Sequence, residues 1–194
     1  MTSKKYQFAG NFYEFFAGGG MARAGLSNKW NCIFANDFDV KKAQTYYSNW
    51  GKNAKIDDII ITKDIRQLNP EDLPNTADLV WASFPCQDLS LAGGGAGLKG
   101  ERSGTFWPFW RLITALKEGG RAPSIIVLEN VCGTLTSHQG KDFSEICHAF
   151  EQTGYRCGAL IIDAVLFVPQ SRPRLFVIGL RHDLQIPKNL FSHI

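Results

Sequence analysis

Short, nearly unbroken apolar runs alternate along this chain with segments of helical periodicity. The clearest runs are residues 78–84 (DLVWASF) and 124–129 (SIIVLE), preceded by 11–16 (NFYEFF) and 31–36 (NCIFAN). A strand with one wet face alternates apolar and polar side chains. A strand that is apolar on both sides has to be covered on both faces, the situation of an α/β sheet. Helical patterns fall between the runs, at residues 21–26 and 40–50. A third spans 106–116, where Phe106, Phe109, Trp110, Ile113 and Leu116 form one stripe, and a fourth carries Phe143, Ile146, Cys147 and Phe150. Gly119-Gly120 and Gly154 supply the stops for the last two. Residues 55–62 read equally as a third strand or a short helix, and residues 158–167 with 175–180 read as a closing strand pair.

No Pro-, Gly- or Ser-rich linker divides the 194 residues, so the reading is a single domain, 1–194. Hydrophobic residues at 44% and charged residues at 20% exclude wholesale disorder. A net charge of +3 is too small to announce a nucleic-acid binder by electrostatics alone. The five cysteines form no CxxC pair, and the four histidines are scattered. A secreted disulfide framework and a metal cluster are therefore not expected, and a reducing compartment is. Nor does any stretch reach the ~18 apolar residues of a membrane span.

In α/β sheets ligands gather at the carboxyl ends of the strands. The unusual residues of this chain fall there: Gly18-Gly19-Gly20, Asp37, Asp64, Pro85-Cys86-Gln87 and Glu129-Asn130-Val131. A glycine-rich turn between strand and helix lets backbone approach a ligand closely. A carboxylate such as Asp37, ending the next strand ~20 residues on, can accept hydrogen bonds from ribose hydroxyls. The spacing is not GxGxxG, which favours a mononucleoside over a dinucleotide. Phe16 and Phe38 could stack on an adenine; equally they could be core residues.

Cys86 follows a buried strand and a proline and precedes the glycine-rich residues 92–104, a position unlike that of Cys32 or Cys147 inside apolar runs. A thiol there can serve as a nucleophile if a helix start or a cation lowers its pKa. Glu129 ends an apolar strand, where a carboxylate is costly without a partner and can work as an acid. Arg172 and Arg174 alternate onto one face ahead of the strand 175–180, a pair suited to an anionic or polar ligand.

These blocks in this order resemble the cytosine-5 DNA methyltransferases: FYEFFAGGGMARAGL at 12–26, NDFD at 36–39, FPCQDLS at 84–90, ENV at 129–131 and QSRPR at 170–174. The resemblance covers residues 12–180, nearly the whole chain. It implies a Rossmann-like S-adenosylmethionine-dependent methyltransferase fold, a mostly parallel sheet with helices on both faces and a closing antiparallel strand. It implies that Phe16, Ala17, Gly18 and Gly20 receive S-adenosylmethionine, with Asp37 on its ribose, Phe38 stacking, and Asp64, Ile65 and Pro85 around it. Cys86 corresponds to the nucleophile that attacks carbon 6 of cytosine, Glu129 to the acid at ring nitrogen 3, and Arg172 and Arg174 to arginines near the target base. Gln87, Ser90, Lys99, Arg102 and Gln170 fall where the family meets its DNA. The implied partner is double-stranded DNA with the target cytosine flipped out. No metal or membrane is implied. The implied location is intracellular, and cytoplasmic at the nucleoid if the source is prokaryotic or a phage.

Two departures accompany the resemblance. The first block reads Gly18-Gly19-Gly20-Met21 where an apolar residue commonly interrupts the glycines. Family members also continue past the fifth block into a variable target-recognition domain, a further block and a final helix. None of these is in the 194 residues, so a second chain or a missing segment would carry target recognition. Alternatives are a tRNA cytosine-5 methyltransferase of the same family and a cofactor-binding module inactive without a partner. A cysteine hydrolase would need a histidine beside Cys86, which the sequence does not place.

Overall fold

The computed structural model describes residues 9–51, 59–85 and 103–186. Seven strands form one sheet in the order β3-β2-β1-β4-β5-β7-β6. They are β1 (Gly10–Phe15), β2 (Trp30–Asp37), β3 (Ile60–Thr62), β4 (Leu79–Ala82), β5 (Ile125–Val131), β6 (Tyr155–Asp163) and β7 (Pro173–Arg181). The first five run parallel, and β7 lies antiparallel between β5 and β6. Among the described residues four α-helices lie between them: α1 (Met21–Leu26), α2 (Val40–Trp50), α3 (Phe106–Glu118) and α4 (Lys141–Gln152). The undecided stretch at 55–62 contains β3, a three-residue edge strand in which Ile60, Ile61 and Thr62 pair with Ala35, Asn36 and Asp37 of β2, and residues 52–58 lie outside the described chain. The first strand of the closing pair starts earlier than its sequence reading, at Tyr155, and ends earlier, at Asp163, because Asp163 caps a short turn at Ala164–Leu166. The second is longer at both ends, Pro173–Arg181.

Helix ends follow their local chemistry. Asp39 caps α2 by accepting from the N–H groups of Lys41 and Lys42. Gly119 and Gly120 close α3, with Gly120 at φ +70°, and Gly154 at φ +88° turns the chain out of α4 into β6.

The larger core lies on the face covered by α3 and α4. Tyr13, Phe15, Val80, Ala82, Ile126, Leu128, Leu175 and Val177 point there from the strands. Aromatic rings knit it: Phe15 meets Phe109 edge-on at 5.1 Å, and Trp110 meets Phe150 at 4.7 Å. The buried Trp110 indole donates to Thr153 Oγ1 at 3.0 Å, so no polar atom of this ring is stranded. The segment before β4 is tied down by arginines, Arg111 to the Leu68 carbonyl and Arg121 to those of Leu73 and Asn75.

The opposite face is filled only in part. Phe12, Cys32, Tyr46 and Leu79 are buried there, and α1 and α2 lie over β2 and β3. Trp81, Phe176 and Ile178, on β4 and β7, are only half-buried and line an open cavity.

Candidate active site

The strand order reverses between β1 and β4, since β1 leads outward to β2 and β3 while β4 leads the other way to β5. The crevice left at the carboxyl ends of these two strands is where such sheets bind ligands. Phe16 leaves β1 with φ +56°, and Gly18 and Gly20 follow at +53° and +83°. The two glycines serve different ends. A Cβ on Gly18 would meet no atom within 4 Å, whereas one on Gly20 would sit 2.1 Å from Trp50 Nε1. Gly18 therefore leaves space open, and Gly20 lets α1 close against α2.

Asp37 ends β2 and is 4% exposed. Its Oδ2 accepts from the Gly18 N–H at 2.9 Å and its Oδ1 from the Asp39 N–H at 3.0 Å. Each oxygen keeps a further lone pair for a hydroxyl. Next to it Phe38 is 65% exposed, so its ring is open to a stacking ligand. Phe16, Asp37, Phe38 and Pro85 line one cavity of about 460 Å³ together with Glu129 and Arg174. A second, of about 1050 Å³, shares Phe16, Ser83, Glu129 and Arg172 with the first and extends across the half-filled sheet face.

Glu129 finds its partner across the β5–β7 pairing. Val131 stands opposite Arg174, and Arg174 Nε lies 3.0 Å from Glu129 Oε1. Asn130 turns inward and accepts from the Val131 N–H at 2.8 Å. Arg172 precedes β7, and its backbone N–H donates to Asp163 Oδ1 at 2.6 Å. Asp163 also accepts from the Val165 N–H and the Ser171 hydroxyl, and the Arg172 and Val165 donors hold its carboxyl below the usual carboxylate range. Asp163 thus shapes the turn that presents Arg172, a role that sequence reading misses because its partners lie up to nine residues away.

Glu14 is the other missed residue. It is 2% exposed and lines the larger cavity. Its Oε1 accepts from the N–H groups of Ala22 (3.1 Å) and Arg23 (3.3 Å) in the first turn of α1, and its Oε2 accepts from the Tyr46 hydroxyl at 3.3 Å. Burial outweighs these bonds and pushes its pKa up to about 7. The signal was a lone carboxylate interrupting the apolar run NFYEFF.

Of the other expected site residues, Asp64, Ile65 and Gln170 do not line these two cavities. Asp64 caps its own short turn, accepting from the Arg66 N–H at 2.8 Å and pairing with the Arg66 guanidinium, while the Ile65 side chain is buried in the larger core. Gln170 is exposed in the turn before β7. Cys86, Gln87, Ser90, Lys99 and Arg102 lie outside the described residues. Among the described residues no cluster of three His, Cys, Asp or Glu side chains could hold a metal, and no helix is long and apolar enough to cross a membrane.

The sheet order, with one reversed strand and a glycine turn facing a buried acid, defines the Rossmann-like methyltransferase class of α/β proteins. Within that class the chain belongs to the C-5 cytosine-specific DNA methylase family, whose profile matches residues 10–193. It is 35% identical over 167 residues to the Type II methyltransferase M.NgoFVII of Neisseria gonorrhoeae, covering 84% of this chain and 40% of that protein. It is 33% identical to M.BsuFI of Bacillus subtilis, covering 90% of this chain and 40% of that protein. The chain thus spans about two fifths of the length of these relatives. Among solved structures, S. pombe Dnmt2 methyltransferase superposes with a TM-score of 0.69 at 21% identity, covering 91% of this chain and 52% of the other. The Entamoeba histolytica methyltransferase EhMeth gives 0.63 at 20% identity, covering 90% and 53%. At such identities these two establish the fold.

Proposed function

We propose that this chain is the catalytic and cofactor-binding part of an enzyme that methylates carbon 5 of cytosine in DNA through a covalent bond from Cys86. The observation that carries the reading is the Glu129–Arg174 pair, which shares one cavity with Asp37, Phe38 and Pro85, the residue just before Cys86.

The crevice suits S-adenosylmethionine. Asp37 has lone pairs free for ribose hydroxyls, Phe38 offers an exposed ring to adenine, and the open position at Gly18 leaves room against the backbone. When bound, this group supplies an electrophilic methyl on a positively charged sulfur. The protein's own residues make cytosine ready for it. The Cys86 thiolate adds to carbon 6, and the electron pair moves toward carbon 5 and nitrogen 3. Glu129, its carboxyl oriented by Arg174, donates a hydrogen bond or proton at nitrogen 3 and so spreads the developing charge. Once carbon 5 carries the methyl, loss of its proton returns electrons to the ring, breaks the carbon–sulfur bond and frees the thiolate. Arg172, presented by the Asp163 turn, faces the same crevice.

Two observations support a further polypeptide, a second chain or another segment, carrying target recognition. The relatives are more than twice as long as the matched region, and the sheet face around Trp81, Phe176 and Ile178 is open.

Covalent trapping tests the reading. The chain is incubated with S-adenosylmethionine and duplex DNA containing 5-fluorocytosine, then weighed by mass spectrometry. Fluorine cannot leave carbon 5 as a proton does, so a protein–DNA adduct should persist, map to Cys86 and vanish in Cys86→Ala. An adduct on another residue would overturn the assignment. No adduct with DNA but one with tRNA would overturn the substrate.

A further inference from the structure

We propose that Glu14 is a positioning residue that holds the Gly18–Gly20 turn through the N–H groups of Ala22 and Arg23, and whose negative charge makes the site prefer a cationic nucleoside over its uncharged counterpart. The proposal rests on reading the crevice as the S-adenosylmethionine site. That molecule carries a positive sulfonium which its demethylated product, S-adenosylhomocysteine, has lost. Glu14 lines the larger cavity, which adjoins the Asp37–Phe38 cavity through Phe16, Ser83, Glu129 and Arg172, and a buried carboxylate there would discriminate donor from spent product by charge.

The geometry leaves Glu14 few other tasks. It is the carboxylate on the β1 side of the larger cavity, with Glu129 across from it on β5. Both of its oxygens are engaged, Oε1 by two amides of α1 and Oε2 by Tyr46 of α2. The groups facing it from each packed element are few. From α1 comes Arg23, whose guanidinium donates to Tyr46 Oη at 3.2 Å and lies over the Tyr46 and Trp50 rings. From α2 comes the Tyr46 hydroxyl, which burial keeps protonated. From β2 comes Cys32, whose thiol is 3.4 Å from Tyr46 Oη and is pushed up to about 11 by burial. The neighbouring Trp81 of β4 and Ser83 just after it are uncharged. Glu14 is thus the group in this cluster that changes charge near neutrality, at about 7. When ionised it accepts stronger, charge-assisted bonds from the two α1 amides and adds attraction for a cation. When protonated it does neither.

Calorimetric titration of the chain with S-adenosylmethionine and with S-adenosylhomocysteine, at pH 6, 7 and 8 in buffers of different ionisation enthalpy, reads this directly. If the cation lowers the Glu14 pKa by about one unit, affinity for S-adenosylmethionine should rise about fivefold from pH 6 to 8. Affinity for S-adenosylhomocysteine should rise less, and proton release should accompany S-adenosylmethionine binding near pH 7. Glu14→Gln, which keeps an acceptor for the α1 amides, should flatten the profile and narrow the preference between the two. Equal pH slopes for both nucleosides in the wild type, or an unchanged slope in Glu14→Gln, would overturn the proposal. If the variant fails to fold, the wild-type difference and its proton release still decide. Binding of neither nucleoside at any pH would overturn the underlying cofactor site instead.

Discussion

The two faces of the sheet are built to different degrees of completion. Under α3 and α4 the strand residues Phe15, Val80, Ile126, Leu175 and Val177 meet a continuous layer of aromatic rings. On the other side the same strands present Trp81, Phe176 and Ile178 to a cavity of about 1050 Å³. Along β7 the contrast appears residue by residue, with Leu175, Val177 and Gly179 buried while Phe176, Ile178 and Leu180 are half-buried. The filled face carries stability. The open face holds the glycine turn, Glu14 and the mouth of the crevice.

The sharpest test of that division is a pair of truncations. Phe150→Ala removes a fully buried ring packed on Trp110 and Tyr155 and should cost about 3–5 kcal/mol in urea unfolding. Phe176→Ala, on the open face, should cost less than half as much; equal costs would erase the distinction. Next comes the charge buried in the open face. The folded pKa of Glu14, about 7, exceeds the ordinary 4.5, so this group stabilises the fold fully below 4.5 and loses that contribution as pH rises through 7. Across that window the stability of Glu14→Gln relative to wild type should rise by roughly 3 kcal/mol, read from unfolding midpoints at pH 4.5 and 8. A constant difference would mean that Glu14 is not desolvated. The smallest effect belongs to Phe167, 78% exposed at the rim of the larger cavity. Phe167→Ser should move stability by no more than about 0.5 kcal/mol yet reduce binding of an environment-sensitive apolar dye. A large loss of stability would show that the rim is already packed.

What the sequence made legible follows the same physics. Residues 78–84 and 124–129 announced β4 and β5 because their side chains are apolar in both directions, and the stripe from Phe106 to Leu116 announced α3 because it buries one side only. β3 was ambiguous because three edge residues carry no period. The glycine turn, Asp37 and the two arginines stand out in the sequence because each interrupts the apolar pattern at a strand end. The partnership of Glu129 with Arg174 could not, since it depends on an antiparallel register that brings residue 174 opposite 131. Glu14 is hard to see in the sequence because an apolar strand is recognised by its majority, although the exception within the run is the informative residue. The expectation for Gly20 was backbone room for a ligand; the structure instead uses it to admit the Trp50 ring.

The position of β1 in mid-sheet carries a consequence in time. Its two partners are β2, where Gly10 pairs with Trp30, and β4, where Phe12 pairs with Leu79. During synthesis at ~5–20 residues per second, the first partner follows within seconds and the second arrives several seconds later. Meanwhile β6 and β7, joined by residues 164–172, can pair almost as soon as they exist. The strand that carries the glycine turn is therefore the one whose second side closes late, and until then its edge is exposed on a nascent chain.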